Sequence, residues 1–138
     1  MLTSNQASLF FTVAMLAVTT YFLFGSIPLL ILRHDNPMDS KFIKSFYVTY
    51  FKIALTVTMG ATIAHALANK FSMLMVALAV GCTTIMLRRK LISQMELQGS
   101  AIQGENYMAV PEFRKTHKSA IIINVVQLLS VLTGLISL

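Results

Sequence analysis

Four apolar runs, each about as long as a bilayer is thick, constrain this chain more than any other feature of its sequence. Hydrocarbon offers no water to an exposed peptide group, so a chain that enters it folds as helices or as a closed barrel. Runs of ~20 apolar residues demand the helical solution. The runs predict helices over residues 7–32, 37–68, 70–98 and 111–138, an all-α, polytopic, antiparallel four-helix bundle in a single membrane domain. Composition agrees. Of 138 residues 56% are hydrophobic and 12% charged, with a mean hydropathy of +0.72, whereas an ordinary soluble domain is about one-quarter charged. A water-soluble domain this small has too little interior to hide so much apolar surface.

Local signals mark the helix ends. The first run is too long for the apolar part of a signal peptide, and Gly25, Ser26 and Pro28 interrupt its far end, where proline is expected to kink it. Asn36, Pro37 and Asp39 predict an N-cap, a first-turn proline and a carboxylate at the positive end of the second helix. Asn69 is the expected N-cap of the third helix, after a link short enough to make helices two and three a hairpin. Gly99 and Gly104 are expected to break the third helix, and Pro111 with Glu112 to open the fourth.

The basic residues sort by side. Arg33, Lys41, Lys44, Arg88, Arg89, Lys90, Arg114, Lys115 and Lys118 fall on the side of the first and third loops, and Lys70 alone on the other. The positive-inside rule therefore predicts cytoplasmic loops at 33–45 and 88–118, with both termini outside. The N-terminal span has no basic lead, which points to a bacterial or archaeal cytoplasmic membrane. The charges sit at the ends of apolar segments, and no basic-aromatic module is present, so nucleic acid is not an expected partner. The expected partners are anionic lipids, met by Lys41, Lys44, Lys52, Arg88, Arg89 and Lys90, and other membrane subunits.

Polar groups inside the spans are the first place to look for chemistry. Asp35, Asp39, Glu96, Glu105 and Glu112 all lie in loops or at helix ends, which argues against a carboxylate relay or a hydrolase within the membrane. Cys82 is alone and forms no intramolecular disulfide. Lys52 is the one charge that reads as buried, by snorkelling or as part of a basic strip. His65, Met73 and Met75 flank the hairpin turn and offer imidazole and thioether ligands to copper(I) or haem iron; gap-filling methionines and an interhelical histidine are the plainer reading. His117, Asn124 and Gln127 share one face of the fourth helix, one turn after Arg114. They predict either hydrogen bonds between helices or a cytoplasmic-side pocket, completed by Arg33, His34 or Arg88, for a quinone headgroup, a lipid phosphate or a small polar substrate. His65 and His117 fall toward opposite membrane faces and cannot ligate one haem together. No cofactor is expected.

The stretch Phe113-Arg114-Lys115-Thr116-His117-Lys118-Ser119 with Asn124 beyond it, and the basic end of helix three over Arg88 to Gly99, resemble a family of small four-helix membrane proteins of unknown function that includes human transmembrane protein 205. The resemblance covers the C-terminal half. It implies the four-helix topology and draws attention to His117 and Asn124. The favoured function is a non-catalytic accessory subunit of a larger membrane assembly, on the strength of the close-packing pairs Gly60/Ala64 and Ala77/Gly81. A redox or ligand-binding protein holding quinone, haem or copper stands second. An intramembrane enzyme or a transporter for a lipophilic substrate stands third.

Overall fold

The structure, a computed structural model, describes residues 2–32 and 37–137. It consists of α1 (Ser4–Leu29), α2 (Pro37–Leu67), α3 (Phe71–Gln103), a 3-10 turn (Tyr107–Ala109) and α4 (Val110–Ile136). All four helices are long and apolar enough to cross a membrane, and the chain is an integral membrane protein. α1 and α3 each touch both α2 and α4, which makes a square, up-and-down bundle. Asn36, Arg33 and His34 lie outside the described residues.

The bundle is turned inside out along the membrane. α1 buries Ser8, Thr12, Thr19 and Ser26 beside Met15 and Phe22, at alternating steps of three and four residues, while Phe10, Val13, Tyr21 and Phe24 face outward. In water that distribution would be unstable, but hydrocarbon accepts the large side chains and the small hydroxyls let helices approach closely. Each buried hydroxyl of α1 also has a partner: Thr12 donates to the Ser8 carbonyl (2.8 Å) and Thr19 to that of Met15 (2.8 Å). A capping box at Thr3 and Gln6 closes the start of α1.

The small-residue pairs pack helices together within the chain. A Cβ on Gly60 would stand 2.2 Å from the Phe11 ring, and one on Gly81 3.6 Å from Thr58. Ala64 and Ala77 are buried. They bring α1 close to α2 and α2 close to α3, and Ala77 and Gly81 also line a shallow apolar groove between α2 and α3.

α3 is longer than its apolar run. Its 33 residues span ~50 Å at 1.5 Å per residue, against ~30 Å of hydrocarbon. Gly99 does not break the helix as expected: it packs on Ser40 of α2, where a Cβ would lie 3.4 Å from the serine oxygen. From Arg88 onward the pattern reverts to that of a soluble protein. Leu91, Met95 and Ile102 are buried, while Arg88, Arg89 and Lys90 are exposed. Phe113, Ile43 and Tyr47 complete this second core, and a Lys44–Glu96 pair (3.3 Å) ties α2 to α3 beside it. α3 thus runs to Gln103, five residues past the expected end at residue 98, and the bundle continues beyond its apolar runs at the basic end.

Two helix ends differ from expectation for one reason. Asn69 is not the N-cap of α3; it adopts a left-handed conformation (φ 55°) that closes α2, with Asn69 N–H bonded to the Ala66 carbonyl and Lys70 N–H to that of His65. That is a Schellman motif, in which asparagine is a common second choice after glycine. Glu105 (φ 63°) closes α3 in the same way, with bonds from Glu105 and Asn106 to Ile102 and Ala101. Pro28 falls in the last turn of α1, where its missing donor ends the helix.

Candidate functional site: a closed polar core and two opposed grooves

Pairs of neighbours set the depth of each residue. Thr58 lies beside Gly81 and Ser40 beside Gly99, so equal steps along the antiparallel helices bring Lys52 level with Leu87. Val76 lies against Gly134, and Gln127 bonds to Thr83 and Thr84, which brings Leu87 level with Ile123. Arg88 follows at once and marks the edge of the hydrocarbon. Lys52 is exposed on the outer surface at that edge rather than buried in the bundle, a placement from which its ammonium can snorkel to the headgroups.

Just inside this edge the core holds a polar network. The Tyr50 hydroxyl lies 2.9 Å from Asn124 Oδ1 and 2.9 Å from Gln127 Oε1, and the Gln127 amide nitrogen donates to Thr84 (3.0 Å) and Thr83 (3.2 Å). A hydroxyl carries one proton and can donate only once. Gln127 has its NH2 committed to the threonines, so its oxygen is the acceptor. Asn124 must then present its NH2 to the Tyr50 oxygen. The far end of the Asn124 amide has no partner. One turn toward the basic end, the buried Tyr47 hydroxyl lies by Ser26, whose oxygen, having donated its own proton to the Leu23 carbonyl, keeps lone pairs to accept from it. His117, wholly buried, sets its ring edge-on to Tyr47 with centroids 5.6 Å apart.

The expected cytoplasmic-side group is thus divided. His117, Asn124 and Gln127 are brought together in the core, whereas Arg114 is exposed and donates to the Leu30 carbonyl (3.3 Å) at the end of α1. Asn124 and Gln127 serve as bonds between helices. At the other end of the bundle His65 is wholly buried and its Nδ1 meets the Ser8 hydroxyl (2.8 Å), while Nε2 has no partner. Met73 is buried against Gly134, but Met75 is 65% exposed on the outer face, so the structure does not gather His65, Met73 and Met75 into one ligand set. Among the described residues no three His, Cys, Asp or Glu side chains are grouped as metal ligands.

Two grooves lie on opposite sides of the square. Between α1 and α2 is an apolar one of about 690 Å³, with Tyr21, Phe22, Phe42 and Phe46 as walls and Ala17 and Thr49 among its small residues. Between α3 and α4, at the basic end, is a polar one of about 430 Å³ that includes Lys90, Gln98, Glu112 and Lys115. Of the residues expected to meet lipid headgroups, Lys90 lines this groove, Lys41, Lys52, Arg88 and Arg89 are exposed, and Lys44 is engaged by Glu96. Tyr47, Tyr50, Gln94, Gln98 and Thr84 were not singled out by sequence. The spacing Lys90, Gln94, Gln98 is a helical row that becomes visible only once this segment is read as helix. Comparison with protein-family models, curated proteins and solved structures finds no match.

Proposed function

We propose that this chain is a non-catalytic integral membrane subunit that packs into a larger assembly through the groove between α1 and α2, with its basic end in the cytoplasm. The observation that carries this reading is the groove itself: an open apolar trough of about 690 Å³ spanning the membrane edge, with rigid aromatic walls and small residues between them. Helices associate in lipid through close packing rather than through apolar burial, and this trough leaves aromatic faces without a neighbour in the chain. The network of Tyr50, Asn124, Gln127, Thr83 and Thr84 supports the same reading, because its hydrogen bonds are satisfied mainly among its own members. The nine-to-one distribution of basic residues supports the cytoplasmic placement of the basic end.

The test is native mass spectrometry after gentle detergent extraction, with and without a bulky residue in the trough. The chain is expected in an assembly heavier than its own 15.3 kDa, and Thr49→Trp, which fills the trough from an exposed position, is expected to release it. If the chain runs alone, or if Thr49→Trp stays in the same assembly, this reading fails.

A further inference from the structure

The α3–α4 groove, on the side of the bundle away from the trough between α1 and α2, carries an ordered series of chemistries along its length. At the membrane edge its lining is apolar, with Leu87 and Ile123 level with each other. One turn further out comes Lys90, and Lys115 reaches the groove from α4. Furthest from the membrane are Gln98 and Glu112. The sequence of environments is hydrocarbon, then cations, then acceptors.

The polar groups have matching vacancies. Thr116 and Ser119, which line the groove level with the interval between the two lysines, donate their protons to the carbonyls of Glu112 (3.1 Å) and Lys115 (3.0 Å), protons that a phosphate seated there can draw on instead. The Gln98 amide oxygen is buried and has no hydrogen-bond partner. A buried acceptor left unsatisfied costs ~1–3 kcal/mol, which a rotation of the amide toward a donor in the groove would recover. The Glu112 carboxylate, at the outer end, adds negative charge beside it.

A phospholipid matches this series in order. Acyl chains lie in the hydrocarbon, the phosphate comes next, and the terminal headgroup group lies beyond. We propose that the α3–α4 groove holds one phospholipid whose headgroup ends in a primary ammonium, with the phosphate between Lys90 and Lys115 and the ammonium donating to Gln98 and Glu112. The ammonium carries three donors and a positive charge, the complement of an acceptor-rich, acidic end. A choline headgroup has the charge but no donor. A glycerol headgroup has donors but no charge for Glu112. The occupant is a lipid rather than a free phosphorylated metabolite because the groove's lining turns apolar, at Leu87 and Ile123, where the apolar runs of α3 and α4 begin.

The experiment is native mass spectrometry of the full chain, delipidated and then offered phosphatidylethanolamine, phosphatidylcholine or phosphatidylglycerol with the same acyl chains. One phosphatidylethanolamine per chain should be retained, at least about tenfold more tightly than phosphatidylcholine, since a hydrogen bond to a charged group contributes ~1.5–3 kcal/mol and 1.4 kcal/mol is tenfold. Glu112→Gln should remove most of that preference, while Lys90→Gln with Lys115→Gln should weaken all three lipids together. Lys70→Gln, at the opposite end of the bundle, should leave both properties unchanged. Equal retention of phosphatidylethanolamine and phosphatidylcholine overturns the proposal, as does a preference for phosphatidylglycerol or a preference that survives Glu112→Gln. The unmodified chain decides between the three headgroups even where a variant fails to fold.

Discussion

Tyr47 and Tyr50 lie three residues apart on α2, each at most 2% exposed, and differ in what their hydroxyls meet. Replacing either with phenylalanine removes one oxygen and leaves the ring. At Tyr50 the change strands the Gln127 oxygen and the Asn124 amide, both buried. Each stranded group costs ~1–3 kcal/mol by measurements in soluble proteins, although hydrogen bonds between membrane helices average nearer ~0.6 kcal/mol, because the dispersed helices also find partners. Two groups give an expected loss of about 1–3 kcal/mol for Tyr50→Phe. At Tyr47 the nearby polar partner is the Ser26 oxygen, which keeps its own bond to Leu23 when the tyrosine hydroxyl is lost, so Tyr47→Phe strands no buried donor and should change stability by under ~1 kcal/mol. The assay is unfolding in mixed micelles of mild and denaturing detergent, followed by far-UV circular dichroism because the chain has no tryptophan. The reasoning is refuted if the two variants shift stability in the same direction by similar amounts, since ring packing rather than hydroxyl pairing would then govern both sites.

Three further outcomes are expected from the same measurement. Gly60→Ala should destabilise by ~2 kcal/mol, because its methyl would meet the Phe11 ring at 2.2 Å, and Phe11→Leu should rescue it non-additively; additive losses would mean the contact is not the cause. Glu105→Gly should stabilise by ~1 kcal/mol, since a left-handed residue (φ 63°) carries a penalty that glycine lacks; a loss would show that the Glu105 side chain has a role the backbone does not explain. Glu96→Gln should change stability by under ~0.5 kcal/mol, because Glu96 is 63% exposed and surface pairs contribute little; a larger loss would assign the Lys44 contact a structural role.

The membrane fold was legible because hydrophobicity acts residue by residue: four apolar runs need no tertiary information to be recognised. The basic extension was legible as helix to residue 98 but not in its packing, because charge ends an apolar run without saying which side chains beyond it are buried. Arg88, Arg89 and Lys90 end the apolar run, yet Leu91, Met95 and Ile102 continue a buried helical row beyond them. Gly99 reads as a breaker until Ser40 is seen against it. Asn69 reads equally well as an N-cap or as a left-handed C-terminal residue, and only the bonds to Ala66 and His65 decide. For the site, the face shared by His117, Asn124 and Gln127 was visible from spacing, but their partners Tyr50, Thr83 and Thr84 lie on other helices at distances along the chain that no local pattern encodes.

The placement of polar groups separates the parts of the molecule that hold it together from those that face outward. Inside the hydrocarbon an unpaired polar group is costly, so Thr12 and Thr19 of α1 bond to their own helix, Ser8 bonds to His65 of α2, and Gln127 bonds to α2 and α3. Past Arg88 water is available, and the constraint relaxes: Lys90, Gln94 and Lys115 can stand in an open groove at little cost. Recognition by polar contacts therefore belongs to the basic end, and recognition by shape belongs to the membrane-facing trough between α1 and α2. Because the square arrangement puts these two surfaces on opposite sides, a partner helix seated on one leaves the other open to lipid. Thr49→Trp and Glu112→Gln should therefore act independently, the first releasing the assembly and the second removing the headgroup preference, neither changing the other.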